Sequence, residues 1–280
     1  MSRHEGSTGL RIDERWAFFI DLDGTLVELV GHPEHAELTA AGRRALTALE
    51  AGASSAVAVI SGRSIASVDR LLEPLQLPVA GLHGTERRGA DGQVHRAPPA
   101  AEELIARARL ELGQLAAAHR GILLEDKGSA LAVHYRGAQE MAPEIRALTE
   151  RLAAESAGAL EVQPGKRVYE LRPAGFDKGR AVAAFLEEAP FAGRRLTPDG
   201  ADTFDRLLGR RGTDSGRRTV GLCDDQPEGD AFRAVLERGG HAIKVGAGLT
   251  TAQWRLPDPA AVIAWLAGER VAYPADKEET

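Results

Sequence analysis

The sequence predicts an α/β protein, a doubly wound, Rossmann-like parallel sheet interrupted by an inserted α+β unit. Three observations carry this. Short apolar runs alternate with helical patterns at both ends of the 280-residue chain, and strands covered on both faces read as unbroken apolar runs. Over residues 99–172 the alternation gives way to two helical stripes, each followed by a hairpin pattern. Finally, three of the runs end in acidic or hydroxyl-bearing turns, and ligands of open parallel sheets gather beyond the carboxyl ends of the strands.

Residues 16–20 are five apolar residues in a row, too short for a helix and suited to a buried strand. A helix over 39–50 follows, with Thr39 as its N-cap. Residues 56–60 form a second buried strand, 64–72 a second helix and 77–80 a third strand. In the insertion, a helix over 101–119 places Leu104, Ala108, Leu112 and Leu115 on one stripe. Strands over 122–125 and 130–135 pair about Lys127 and Gly128, and Met141, Ile145, Leu148 and Leu152 mark another helix. Strands over 160–162 and 168–171 pair about Pro164-Gly165. The alternation then resumes with a helix over 179–188, a strand over 219–223, a helix over 229–238, a strand over 242–245 and a helix over 259–266. The expected organisation is a discontinuous core, 11–98 and 173–270, an inserted unit, 99–172, and loose ends at 1–10 and 271–280. Residues 194–218, with seven arginines, four aspartates and four glycines, read as a solvated surface excursion.

Composition narrows the function. Hydrophobic residues are 43% and charged residues 27% of the chain, which excludes a disordered polymer. Lys and Arg total 35 against 41 Asp and Glu, a net charge of −6, and this argues against a nucleic-acid partner held through phosphates. One cysteine makes no internal disulfide, so a reducing compartment is expected. No apolar run nears the roughly 20 residues that span a bilayer, and residues 1–10 lack the apolar stretch of a secretion signal. A cytoplasmic protein with no membrane partner is expected.

Four motifs carry chemistry. Asp21-Leu22-Asp23-Gly24-Thr25 follows the first strand. Residues two apart in extended backbone share a side, so its carboxylates converge, as a hard cation such as Mg²⁺ requires. Ser61-Gly62-Arg63-Ser64 follows the second strand and offers a hydroxyl with backbone N–H groups to an anion. Lys178 precedes a helix and offsets phosphate charge. Asp224-Asp225 follows a further apolar strand, with Glu228 and Asp230 next. Read singly, each motif also fits an ordinary strand-to-helix turn or helix start.

Together, in this order and spacing, the motifs resemble the haloacid dehalogenase superfamily of aspartate-nucleophile phosphatases. The resemblance implies Asp21 as nucleophile and Asp23 as acid and base. It implies Mg²⁺ on Asp21, the Asp23 carbonyl and Asp224, with Glu228 supporting the metal through water. Ser61 and Lys178 bind the transferring phosphoryl oxygens. The segment from Gly81-Leu82-His83-Gly84-Thr85-Glu86 to Arg88, then Glu125-Asp126-Lys127-Gly128, His134-Tyr135-Arg136 and Gly165-Lys166-Arg167-Val168-Tyr169-Glu170, resembles the trehalose-6-phosphate phosphatase family. That family implies a C2-type cap with Glu125, Lys127, Arg136, Lys166 and Glu170 on sugar hydroxyls, and Arg63, His83 and Glu86 among the substrate-binding residues. The expected substrate is trehalose 6-phosphate, with functional pairing to a trehalose-6-phosphate synthase. Two alternatives stay open: a phosphatase of another disaccharide or pseudo-disaccharide phosphate, and a catalytically weak sugar-phosphate-binding paralogue. The fourth motif departs from the family pattern, since Cys223 stands where a glycine is usual, Glu228 where an aspartate is usual, and Gly229 follows it.

Overall fold

The computed structural model describes residues 16–29, 35–165, 167–192, 219–224, 230–248, 250–268 and 273–274. Lys166, Glu228, Gly229, the 194–218 excursion and the N-terminal residues 1–10 lie outside them. The first half of the core runs β1 (Ala17–Ile20), α1 (Ala40–Gly52), β2 (Val57–Ile60), α2 (Ile65–Leu72), β3 (Val79–Gly81), β4 (Glu86–Arg88) and β5 (Val94–Arg96). The insertion follows as α3 (Pro99–Ala118), β6 (Leu123–Asp126), β7 (Leu131–His134), α4 (Ala142–Glu155), β8 (Leu160–Gly165) and β9 (Val168–Pro173). The second half of the core comprises α5 (Lys178–Leu186), β10 (Thr219–Cys223), α6 (Asp230–Leu236), β11 (His241–Val245), β12 (Trp254–Leu256), α7 (Pro259–Leu266) and β13 (Tyr273–Pro274).

The apolar runs become central strands because both of their faces are covered. Phe18, Ile20, Val57 and Val59 pack with Leu46, Leu49, Val68, Val262 and Trp265 of α1, α2 and α7. The alternate residues Ala17, Phe19, Ala58 and Ile60 pack with Val182, Phe185 and Val235 of α5 and α6. Side chains alternate faces along a strand, so only an all-apolar run satisfies two helical layers. The helix starts follow local chemistry. Thr39 accepts from Gly42 N and Ser64 from Ser67 N at the starts of α1 and α2, as N-cap hydroxyls do.

The large sheet has the order β13-β12-β11-β10-β1-β2-β3-β4-β5. Its middle is parallel from β12 to β3, as expected. Its margins differ from the expectation, because β4, β5 and β13 add antiparallel strands. Only the short turn 82–85 separates β3 from β4, and so brief a link reverses the chain direction. Tyr273–Pro274, expected as part of a loose end, pairs with Arg255 and Trp254. The third strand lies at Val79–Gly81 rather than 77–80.

The insertion forms a separate antiparallel sheet, β6-β7-β9-β8. One face packs on α3 and α4 through Ile105, Leu112, Leu131, Val133, Ile145, Leu152 and Leu171. Across the strands, Glu125 stands opposite Ala132, Ala132 opposite Glu170, and Glu170 opposite Gln163. This row shares the face away from Leu131, Val133 and Leu171, so the second face is polar.

Phe185 joins α5 to the sheet. It is fully buried, its ring lies 6.1 Å from Phe19 and 5.2 Å from Phe191, and the Arg87 guanidinium sits 5.0 Å from its centroid. Phe185→Ala is expected to destabilise the protein by about 3–5 kcal/mol, read from urea denaturation. A loss below about 1 kcal/mol would contradict an anchoring role for this side chain.

Candidate active site

The parallel register brings the carboxyl ends of β1, β2 and β10 together. Ile20 stands opposite Leu222 and Val59, so the residues that follow these strands emerge side by side. Asp21 N–H donates to the Leu222 carbonyl at 2.9 Å and extends the ladder by one residue. The Asp21 carboxylate is buried at 6% exposure. Its Oδ1 accepts from Leu22 N at 2.8 Å, and its Oδ2 accepts from Lys178 Nζ and from Cys223 Sγ, each at 3.2 Å.

Lys178 comes from the first turn of α5, where the Asp177 side chain caps the helix by accepting from Arg180 N. It is itself buried. A buried carboxylate is tolerated when paired and hydrogen-bonded, and the Lys178–Asp21 contact supplies both.

After Asp21 the chain turns tightly. Gly24 N donates to the Val27 carbonyl and Leu26 N to Leu22. Gly24 has φ +73°, and a side chain there would place its Cβ 2.1 Å from Asp224 Oδ2. Glycine is therefore required twice, by the left-handed backbone and by the approach of the second carboxylate. The Asp224 carbonyl accepts from the buried ammonium of Lys244, which also donates to the Val245 carbonyl at 2.8 Å. Ligand atoms of Asp21, Cys223 and Asp224 all lie within 4.8 Å of one another. Two carboxylates at this spacing form an acidic cluster suited to a hard, oxygen-seeking cation.

Ser61 follows β2 and is fully buried. Its Oγ accepts from Arg63 N at 3.1 Å, which leaves the hydroxyl proton to serve as a donor. The Arg63 side chain forks onto Asp23, Nε to Oδ2 at 2.7 Å and Nη2 to Oδ1 at 2.6 Å. His83 and Leu82 both hold positive φ, 56° and 48°, and the His83 ring packs where a Cβ on Gly62 would fall, 2.8 Å from Nε2. Such backbone in non-glycine residues concentrates at functional sites. Glu86, expected among the substrate-binding residues, is engaged elsewhere. Its Oε1 accepts from Ile65 N at 2.6 Å at the start of α2, and its Oε2 faces Arg96 at 3.6 Å.

On the polar face of the insertion, Lys127 Nζ donates to Glu170 Oε2 at 2.8 Å. Burial pushes the Glu170 carboxyl up, but the Lys127 charge and hydrogen bond, with the charges of His83 and Arg172, outweigh it and hold it below the usual carboxylate range. Nearby, Thr85 Oγ1 donates to Ser129 Oγ at 2.9 Å, tying the β6–β7 turn to the turn before β4. Glu125 pairs instead with His134 Nε2 at 2.8 Å on the exposed edge, and Arg136 is exposed. The structure thus groups Asp21, Lys178 and Asp224, with Ser61 following the neighbouring strand and His83 beside Gly62. The Asp23 carboxylate is turned to Arg63 and is not part of the Asp21–Cys223–Asp224 cluster, because the chain turns at Leu22 instead of staying extended as the D-x-D spacing predicts. Sequence reasoning assigned no task to Lys244. Its signal is a lysine between Ile243 and Val245 in the buried part of β11.

With this geometry in view, comparison with known proteins is direct. The trehalose-phosphatase family model matches residues 19–260. The chain belongs to the trehalose-phosphatase family. A trehalose-6-phosphate phosphatase of Escherichia coli K12 is 35% identical over 257 residues, covering 91% of this chain and 86% of that one. The structure of Aspergillus fumigatus trehalose-6-phosphate phosphatase aligns with a TM-score of 0.63 and 27% identity, over 90% of this chain and 92% of that one. A haloacid dehalogenase-like hydrolase of Bacteroides thetaiotaomicron shares the fold alone, with TM-score 0.55 and 12% identity over 90% of this chain and 98% of that one. Among the described residues, no helix is long and apolar enough to cross a membrane.

The closeness of Gly24 to Asp224 makes a test for this trehalose-phosphatase family site. If the cluster holds a divalent cation, Gly24→Ala is expected to push Asp224 aside and weaken that binding by about 10–100-fold, the usual cost of disturbing a ligand's support, measured by calorimetric titration with a divalent cation. Unchanged affinity would remove Asp224 from the cluster.

Proposed function

We propose that the protein hydrolyses trehalose 6-phosphate to trehalose and inorganic phosphate, with Asp21 as nucleophile and Mg²⁺ as cofactor. The observation that carries this reading is the convergence of Asp21, Lys178, Ser61 and Asp224 at one end of one sheet, in a chain of the trehalose-phosphatase family. An Asp21 oxygen forms a bond to phosphorus as the bond from phosphorus to the sugar oxygen breaks. Asp23 gives a proton to that departing oxygen. In the second half, water loses a proton to Asp23 and displaces phosphate from Asp21, which restores both carboxyl groups. The Ser61 hydroxyl and the Lys178 ammonium donate to the phosphoryl oxygens as negative charge shifts among them. Asp21, the Asp23 carbonyl and Asp224 are the proposed holders of Mg²⁺, with Glu228 supporting it through water; when bound, the ion offsets the repulsion between carboxylate and phosphate.

In this reading the insertion, 99–172, is a specificity cap over the discontinuous core. Glu125, Lys127, Arg136, Lys166 and Glu170 contact the sugar, joined by His83 from the core. The Lys127–Glu170 pair supports this role, because Lys127 lies two residues from Ser129, which meets Thr85 of the core, and the pair offers charged donors and acceptors suited to hydroxyls. The reading also places the protein in the cytoplasm, downstream of a trehalose-6-phosphate synthase.

Two outcomes test it. Asp21→Asn is expected to abolish phosphate release from every ester, since an amide is a poor nucleophile and a poor ligand for a hard cation. Release at the parental rate would exclude Asp21 as nucleophile. Lys127→Ala or Glu170→Ala is expected to lower kcat/KM for trehalose 6-phosphate by roughly 10- to 150-fold, the worth of one charged hydrogen bond, while a small aryl phosphate is nearly untouched. Parallel rates on trehalose 6-phosphate, sucrose 6-phosphate, glucose 6-phosphate and the aryl ester decide the matter. Equal turnover of glucose 6-phosphate, or an equal fall on both esters, would contradict the disaccharide assignment.

A further inference from the structure

We infer that Arg63 is a positioning residue that aims the Asp23 carboxyl at the reacting oxygens, a task different from contact with the sugar. The inference rests on the phosphatase reading, in which Asp23 is the acid and base. Arg63 grips Asp23 through two parallel hydrogen bonds of 2.7 and 2.6 Å. Such bidentate pairing fixes the plane of a carboxyl group as well as its place.

The two partners are held very differently. The Arg63 side chain is 9% exposed and that of Asp23 35%. Arg63 is also fixed through its backbone: its N–H donates to Ser61 Oγ at 3.1 Å, and its carbonyl accepts from Leu82 N at 2.9 Å. Gly81 packs so closely that a Cβ there would lie 2.9 Å from that carbonyl oxygen. Two residues on, Ile65 N is held by Glu86. Asp23 sits on the tight 22–27 turn, whose backbone is closed by bonds from Gly24 N to Val27 and from Leu26 N to Leu22, but its side chain is the more exposed of the two. A rigid fork therefore directs a more exposed carboxyl group. Glu86 and Gly81 then act one step further out, by keeping Arg63 in place.

Distance from the chemistry gives the test its form. A departing oxygen of low basicity leaves without a proton, whereas an alkoxide needs one. The experiment measures kcat/KM for sugar-free esters, an alkyl phosphate, phenyl phosphate and nitrophenyl phosphate, with the full chain and Mg²⁺. Because kcat/KM covers steps up to departure of the leaving group, it is blind to slow hydrolysis of the phosphoenzyme. Arg63→Met is expected to lower the alkyl ester value on the order of 100-fold and the nitrophenyl value by less than about threefold, because general acid catalysis contributes ~10²–10⁴-fold only where it is needed. Arg63→Lys, which keeps the charge and loses the fork, is expected to fall between parent and Met variant on the alkyl ester. The ratio of esters is internal to one preparation, so partial unfolding does not alter it. If Arg63→Met fails to fold, Arg63→Lys carries the same comparison. An equal loss on all three esters would overturn the inference, as would an unchanged series with a loss confined to trehalose 6-phosphate. A parent protein that releases phosphate neither from these esters nor from trehalose 6-phosphate would overturn the phosphatase reading instead, and one active on trehalose 6-phosphate alone, with the same kcat/KM in the Arg63→Met variant, would overturn the inference.

Discussion

Everything in the site depends on holding acidic groups together where water is scarce. Oxygen atoms of Asp21 and Asp224 lie within 4.8 Å of each other, and two such charges repel by roughly 3–4 kcal/mol at an effective dielectric of about 20. The fold meets this with cations from separate elements. Lys178 from α5 reaches Asp21, Arg63 from the turn before α2 forks Asp23, and Lys244 from β11 holds the Asp224 backbone. Each positive group is largely buried or forked, so its position is set by packing rather than by solvent. A pairing of this kind is a costly way to gain stability, and its natural reading is function.

That arrangement explains much of the architecture around it. Parallel strands put all carboxyl ends of the core on one side, and the Ile20–Leu222 and Ile20–Val59 register aligns the three acid- and hydroxyl-bearing turns. The reversed strand β4 follows from the short turn 82–85, which carries His83 and Thr85. Thr85 meets the insertion through Ser129, and His83 packs against Gly62 beside Ser61. The insertion in turn buries one face of its sheet on α3 and α4 and leaves the other for polar groups. The two sheets thus meet at one turn, Thr85 to Ser129.

The core was legible in the sequence because its signals are local and physical. Apolar runs forecast β1, β2 and β10, a mostly apolar run interrupted by Lys244 forecast β11, and the hydroxyls of Thr39 and Ser64 marked helix starts that the structure confirms. The antiparallel margins were not legible. Glu86–Arg88 and Val94–Arg96 are mostly charged or half-exposed, so neither alternation nor apolar runs announce them. Asp21, Ser61, Lys178 and Asp224 could be picked out because each follows or precedes a core element. What each side chain touches could not. Glu86 supports a helix start, Arg63 faces Asp23, and Glu125 pairs with His134, three contacts between residues 9 to 40 positions apart. Pairings at that range are set by tertiary packing, and a residue's type and neighbours along the chain carry no record of them.

The central claim is that the Asp21 carboxylate, held by Lys178 at the end of β1, becomes covalently phosphorylated during turnover. The direct measurement is rapid quenching of the working enzyme on trehalose 6-phosphate, followed by borohydride reduction and peptide mass spectrometry. An aspartyl phosphate is reduced to homoserine, whereas a free carboxylate is not. The account predicts homoserine at position 21 and nowhere else, dependent on substrate. Its absence there while phosphate is being released, or modification at another residue such as Ser61, would contradict it.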